Sequence, residues 1–126
     1  MSKTIVYSDH APAPIGPYSQ AVQVGSTLFV SGQIAIKKSS GKMITDTIEA
    51  EADQVMTNLH EVLKAAGLNF SHVVKSTIFL KNMDDFPKVN AVYGKYFQEA
   101  FPARETVEVS RLPKDANVEI SCIAVK

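Results

Sequence analysis

The chain has 126 residues, 45% hydrophobic and 21% charged, and its 13 basic and 13 acidic side chains give a formal net charge of zero. That is one domain's worth of soluble globular sequence, here residues 1–126; it excludes a disordered or fibrous chain and argues against a dedicated nucleic-acid binder, which would carry a basic face. A single cysteine, Cys122, rules out an intramolecular disulfide and favours a reducing compartment.

The N-terminal stretch MSKTIVYSDHAPAP has neither the apolar core of a secretory signal nor the arginines of a mitochondrial presequence. No apolar run approaches the ~20 residues of a membrane span, so a cytoplasmic protein without membrane association is expected. KTIVYS (3–8) is a short apolar strand. DHAPAPIGPYSQ (9–20) holds three prolines and a glycine and must be irregular. AVQV (21–24) and TLFVSGQIAI (27–36) read as two strands about a Gly-Ser turn, followed by a polar loop, KKSSGKMITD (37–46).

The period then changes. Ile48, Ala52, Val55, Met56, Leu59, Val62, Leu63 and Ala66 fall on one face of a helix, with Thr45 or Asp46 as its cap and Gly67 as its stop. HVVKSTIFLKN (72–82) is a β-branched strand. MDDFPKVNAVYGKYFQEAF (83–101) reads as a second helix with Phe86, Val89, Tyr93 and Phe97 inward and Pro87 tolerated in the first turn. ARETVEVSRL (103–112) is a strand, PKDAN (113–117) a turn and VEISCIAV (118–125) the last strand. About six strands and two helices result. Two helices cover only one face of such a sheet, while the last strand is apolar on one side and partly so on the other, so self-association is expected to cover the rest.

Several chemistries lack their residues. His10, His60 and His72 are scattered outside any HExxH or CxxC setting, phosphate-binding glycine loops are missing, and Ser31-Gly32-Gln33 is not a nucleophile elbow. His60 and His72 read as surface or helix-end residues. Four features remain. Asn90 lies on the apolar stripe of its helix and needs partners there, as a structural clamp or as a ligand group. Glu119, flanked by Val118 and Ile120, either faces water or sits on a partly apolar face with a raised pKa, able to take a proton. Tyr18 and Ser31, in IGPYSQ and VSGQ, fit ligand recognition or ordinary packing. Arg104 opens a strand; the pattern alone favours a solvated charge, although its planar fork also matches a carboxylate.

Read together, APIGPYSQAV, VSGQI, AAGL, VVKSTIFLKNMDDFPKVNAVYGKYF, FPAR, RLPKD and VEISCIAV, in that order over essentially the whole chain, resemble the Rid family, in particular the RidA (YjgF) subgroup of reactive-intermediate deaminases. The resemblance implies an α+β, chorismate-mutase-like fold: a mixed six-stranded sheet with two helices packed on one face, three copies forming a barrel-cored homotrimer with ligand clefts between subunits. It implies cofactor-free hydrolysis of 2-imino acids (2-iminobutanoate, 2-iminopropanoate), released by pyridoxal-phosphate-dependent serine and threonine dehydratases, to 2-keto acids and ammonia. Arg104, Glu119 and Tyr18 are the implied catalytic positions, with Ser31, Gly32, Asn90, Arg104 and Thr106 contacting substrate and no metal. Thr106 stands where many relatives carry cysteine, so a role that needs a thiol there does not carry over, and Cys122 sits elsewhere in the chain. Rival readings are a ribonuclease or translation inhibitor, a label some relatives bear, and a non-catalytic carboxylate-binding or chaperone-like trimer.

Overall fold

The computed structural model describes residues 2–126. Its main sheet has six strands: β1 (Lys3–Val6), β2 (Ala21–Val24), β3 (Thr27–Gln33), β6 (Val73–Leu80), β7 (Ala103–Glu108) and β8 (Val118–Val125). They lie in the order β1-β2-β3-β8-β6-β7, antiparallel except for the parallel pair β6–β7, so β7 is an edge strand. The polar loop contains a small hairpin, β4 (Ile36–Lys37) with β5 (Lys42–Met43). The run expected as one strand from 27 to 36 breaks after Gln33. Val30 pairs with Cys122 and Gln33 with Ile120, so Ser31 and Gly32 together oppose Ser121 in a β-bulge.

Helix α1 (Ile48–Ala65) buries the expected stripe, from Ala52 through Leu63, against the sheet. Its cap is Thr47 rather than Thr45 or Asp46. Thr47 is extended and its hydroxyl accepts from the Ala50 N–H at 3.0 Å. The helix stops at Gly67 as expected. With φ at +76°, Gly67 donates to Lys64 and the next N–H, of Leu68, to Leu63. Helix α2 (Phe86–Gly94) is much shorter than the predicted 83–101. A 3₁₀ turn (Met83–Asp85) precedes it, and after Gly94 the chain tightens into i→i+3 bonds before reaching Ala100, whose φ is +52°. Gly94 weakens the helix, and beyond it Phe97 joins an aromatic cluster with Phe70 and Tyr93.

Both helices cover one face of the sheet, over Leu28, Val30, Ile78, Leu80, Val118, Ile120 and Ala124. The opposite face is bare of helices among the described residues and exposes Ile5, Phe29, Val107 and Val125, while a second apolar cluster of Ile34, Ile36, Leu112 and Ala116 packs against its Phe79.

Candidate active site

The edge strand β7 carries Arg104. Arg104 lies in register with Ser76 of β6, which lies in register with Cys122 of β8. Both partners are buried beneath the helices, so Arg104 points toward α2. There its guanidinium sits 5.0 Å from the centre of the Tyr93 ring and 5.5 Å from that of Phe86. One terminal nitrogen donates to the Asn90 side-chain oxygen at 2.8 Å. The Tyr93 hydroxyl is fixed in turn by a buried 2.9 Å bond to Ser76. Burial pushes the Tyr93 phenol up, an effect the Ser76 bond and the arginine's charge partly offset, and the tyrosine therefore stays neutral.

Among the described residues Arg104 has no acidic partner. It is thus neither a solvated strand end nor half of a surface ion pair. It is a braced cation with donors to spare, opening on a cavity of about 440 Å³ lined by Asn90, Tyr93, Gly94, Phe101, Pro102 and Arg104. Asn90 is exposed, not buried on the stripe as expected. The stripe turns Val89 and Tyr93 inward, and Asn90, one residue round, meets the arginine.

Glu119 is on the other side of the sheet. Its neighbours Val118 and Ile120 are wholly buried under the helices, so its own side chain emerges on the bare face, in register with Phe79 and Val107. It is half-buried, and desolvation raises its pKa above the ordinary 4.5. The carboxylate lies over Gly32 so closely that a Cβ there would come within 2.5 Å of Oε2. The bulge at Ser31–Gly32 and the missing side chain of Gly32 together make that seat.

Tyr18 joins Glu119 and Gly32 around a second cavity, of about 140 Å³, whose walls include Pro12, Ile15, Ile34 and Pro113. The Tyr18 hydroxyl accepts from the Ile15 N–H at 3.2 Å, which leaves its own proton free to donate. Ser31 does not present its hydroxyl to this space: the Oγ donates to the Ser19 carbonyl at 2.5 Å and the amide to the Gln20 carbonyl at 2.9 Å. Thr106 shares the helix-covered face with Arg104, and its hydroxyl is buried without a hydrogen-bond partner. Cys122 is buried, its thiol pushed up to about 12 by desolvation. No group of three or more His, Cys, Asp or Glu side chains among the described residues is arranged to hold a metal ion. His60 lies exposed, stacked on Phe70, and His72 closes a 3₁₀ turn (Phe70–His72).

Six of the seven predicted residues therefore fall into two candidate half-sites on opposite faces of one sheet, Arg104, Asn90 and Thr106 on one and Tyr18, Gly32 and Glu119 on the other, while Ser31 braces the chain beside the second. Two supports were missed. The Glu51 carboxylate on α1 accepts from both the amide and the side chain of Asn117, at 2.7 Å each, fixing the entry to β8. Asn58 donates to the carbonyls of Ile34 and Ile36, at 3.0 and 2.9 Å, and holds the chain just past the bulge.

This fold and these candidate half-sites define a class: small α+β proteins with two helices on one face of a mixed sheet, an arginine without an acidic partner among the described residues at the sheet edge and a carboxylate on the opposite face. The chain belongs to the endoribonuclease L-PSP family, that of the RidA/YjgF proteins, whose sequence profile matches residues 8–126. It is 50% identical over 123 residues to a 2-iminobutanoate/2-iminopropanoate deaminase of Dermatophagoides farinae, covering 98% of this chain and 96% of that one. A RutC family protein of Pyrococcus horikoshii is 48% identical over 124 residues, covering 98% of each. Among solved structures, Escherichia coli TdcF with bound serine superposes with a TM-score of 0.94 at 37% identity, covering 98% of both chains.

Proposed function

We propose that this protein is a cofactor-free hydrolytic deaminase of small 2-imino acids, 2-iminobutanoate and 2-iminopropanoate, and that it works as a homotrimer with its clefts between subunits. The observation that carries the reading is Arg104: a guanidinium braced by Asn90 and two aromatic rings, with no acid among the described residues to neutralise it. Such a fork suits a planar carboxylate. The names of the deaminase relatives support the substrate class, and serine bound to TdcF shows an amino acid held by a near neighbour.

The two half-sites explain why association is required. Arg104 and Glu119 cannot reach one ligand from opposite faces of the same sheet. Packing the bare faces of neighbouring copies would bury Ile5, Phe29, Val107 and Val125 and bring the arginine cavity of one copy to the Tyr18–Glu119 cavity of the next.

In that cleft Arg104 holds the C1 carboxylate and fixes the orientation of C2. Glu119 takes a proton from water as the water oxygen bonds to C2, while the C=N pair moves to nitrogen, which receives that proton back from the Glu119 acid. The hydroxyl proton of the resulting carbinolamine then passes through Glu119 to the nitrogen, and the oxygen's electron pair closes the keto C=O as the C–N bond breaks and ammonia leaves. The Tyr18 hydroxyl, with its proton free, donates to the nitrogen or the new oxygen. Supply of the substrate falls to pyridoxal-phosphate-dependent serine and threonine dehydratases, which release such imines.

The test couples a threonine dehydratase to an imine-trapping reagent, with and without this protein. Faster keto-acid formation with less trapped imine is expected; an unchanged partition at enzyme excess overturns the reading. Sedimentation checks the trimer.

A further inference from the structure

The segment carrying Tyr18 is poorly equipped to hold itself. Between Val6 and Ala21 it forms neither helix nor strand, and Pro12, Pro14 and Pro17 have no N–H to donate. Its carbonyls must find donors elsewhere or face water. One side chain supplies three of them. Gln20 is 2% exposed, and its amide nitrogen donates to Pro12 O at 2.9 Å, Ser8 O at 3.2 Å and, more weakly, Ala11 O at 3.4 Å. Its amide oxygen accepts from the Ser8 N–H at 2.7 Å. Gln20 thereby ties the end of the loop back to its beginning. The other edge is tied by Ser31, which bonds the carbonyls of Ser19 and Gln20.

From this clamp we infer that Gln20 is the positioning residue for Tyr18: its buried amide closes the loop of residues 8–20 and holds the Tyr18 hydroxyl over the cavity shared with Glu119. The inference rests on the deaminase reading above, in which that hydroxyl serves the reacting centre. Arg104 lies on the other face of the sheet and is untouched by the clamp. Loss of the clamp therefore appears in the chemical step and not in carboxylate binding. The Ser31 hydroxyl, expected to meet substrate, belongs to the same scaffold.

The test compares Gln20→Leu and Gln20→Glu, alone and combined with Tyr18→Phe, by imine-hydrolysis kinetics and amide hydrogen exchange. Glu keeps the acceptor for Ser8 and removes the donors, so it serves if the Leu variant fails to fold. Either substitution is expected to lower kcat about ten- to a hundredfold with KM within about twofold. In the Tyr18→Phe background the further loss should vanish, because residues acting through one another are not additive. An equal loss of kcat in both backgrounds, or a rise in KM alone, overturns the inference. If the parent protein hydrolyses no imine, the deaminase reading has failed separately. Exchange then decides this inference: the Ile15 and Tyr18 amides must lose protection in Gln20→Glu while those of β1 and β2 keep theirs, and unchanged exchange at Ile15 and Tyr18 overturns it.

Discussion

Arg104 donates to the Asn90 oxygen at 2.8 Å while its guanidinium rests 5.0 Å from the centre of the Tyr93 ring, so a cation on the edge strand is oriented entirely by neutral groups of α2. A carboxylate partner would have satisfied the charge and closed the site; an amide directs it and leaves it available. Arg104→Ala is expected to nearly abolish imine hydrolysis. Arg104→Lys should lose most of it, since an ammonium has neither the fork nor the planar face that lies on the rings. Asn90→Ala removes one hydrogen bond to a charged group, worth about 1.5–3 kcal/mol. It should raise KM by roughly tenfold or more, with a much smaller change in kcat. Steady-state kinetics of the three variants checks this, and wild-type turnover by Arg104→Lys would sink the carboxylate-anchor role.

Glu119 loses solvent against the bulge, and its pKa lies above the ordinary 4.5. As a base it must be ionised, so kcat/KM should fall as pH drops through that raised value, giving an acidic limb above the usual carboxylate range. The stability sign is opposite to that of a salt-bridged acid. The folded state holds the proton more tightly than the unfolded chain, so the contribution is favourable below the ordinary pKa and is lost as pH rises through the raised one. Glu119→Gln should abolish hydrolysis and remove this pH-dependent loss. Urea melts from about pH 4 to pH 7, spanning the ordinary carboxylate range and above, compare the slopes; identical slopes in variant and parent would show that Glu119 is not the group responsible.

Much of this arrangement is legible in the sequence because patterning carries it. The stripe from Ala52 to Leu63 and the alternation of Val118, Ile120, Cys122 and Ala124 fix which faces are buried, and the strand runs locate the sheet. What stays hidden depends on tertiary geometry. Helix periodicity continues past Gly94 to Phe97, yet the chain tightens there into i→i+3 bonds, at a glycine that weakens the helix. The Val-Ser-Gly-Gln stretch looks like continuous strand, and only the register against β8 shows the bulge. Glu51 and Asn58 lie beside the stripe with Val55 and Val62, a signal that buried polar groups there need specific partners. Their actual partners, Asn117 and the Ile34 and Ile36 carbonyls, are distant in sequence. Alternation does place Arg104 and Glu119 on particular faces of their own strands. That these are opposite faces of one sheet follows only once β6 is seen between β7 and β8.

Gly32 offers a test of the Glu119 seat that leaves the acid in place. A Cβ at residue 32 would stand 2.5 Å from Oε2 and 2.8 Å from the carboxyl carbon. Those atoms end a flexible side chain, so the carboxylate moves rather than the backbone. Gly32→Ala should fold with stability within about 1 kcal/mol of the parent while kcat drops about ten- to a hundredfold. Thermal melts and kinetics on the same preparation separate the two. Unaltered kcat would mean that the seat is dispensable.

Cys122 is the only thiol, buried in β8 with its pKa pushed up to about 12. Its thiolate fraction at neutral pH is negligible, and thiolate is the reactive form. Iodoacetamide should leave the native protein unmodified at pH 8 and label it once unfolded in guanidinium, read by intact mass. Cys122→Ser should keep catalytic activity, with a stability loss from placing a hydroxyl in an apolar layer. Rapid native labelling would show an opening of β8 that the packing does not suggest.

Thr106 separates a role of the backbone from a role of the side chain. Its hydroxyl is buried without a partner, a state that costs about 1–3 kcal/mol relative to a satisfied group. Valine keeps the shape and the β-branched preference for a strand while discarding the orphan oxygen. If substrate uses only the strand backbone here, Thr106→Val should retain activity and raise stability by about 1 kcal/mol, and Thr106→Ala should be mild. If the hydroxyl awaits the substrate or a water in the assembled cleft, Thr106→Val should lose kcat or raise KM strongly, whereas Thr106→Ser should retain function. The free chain's orphan hydroxyl makes stabilisation by valine the expected outcome. Kinetics and urea melts of the three variants decide between side chain and backbone at this position.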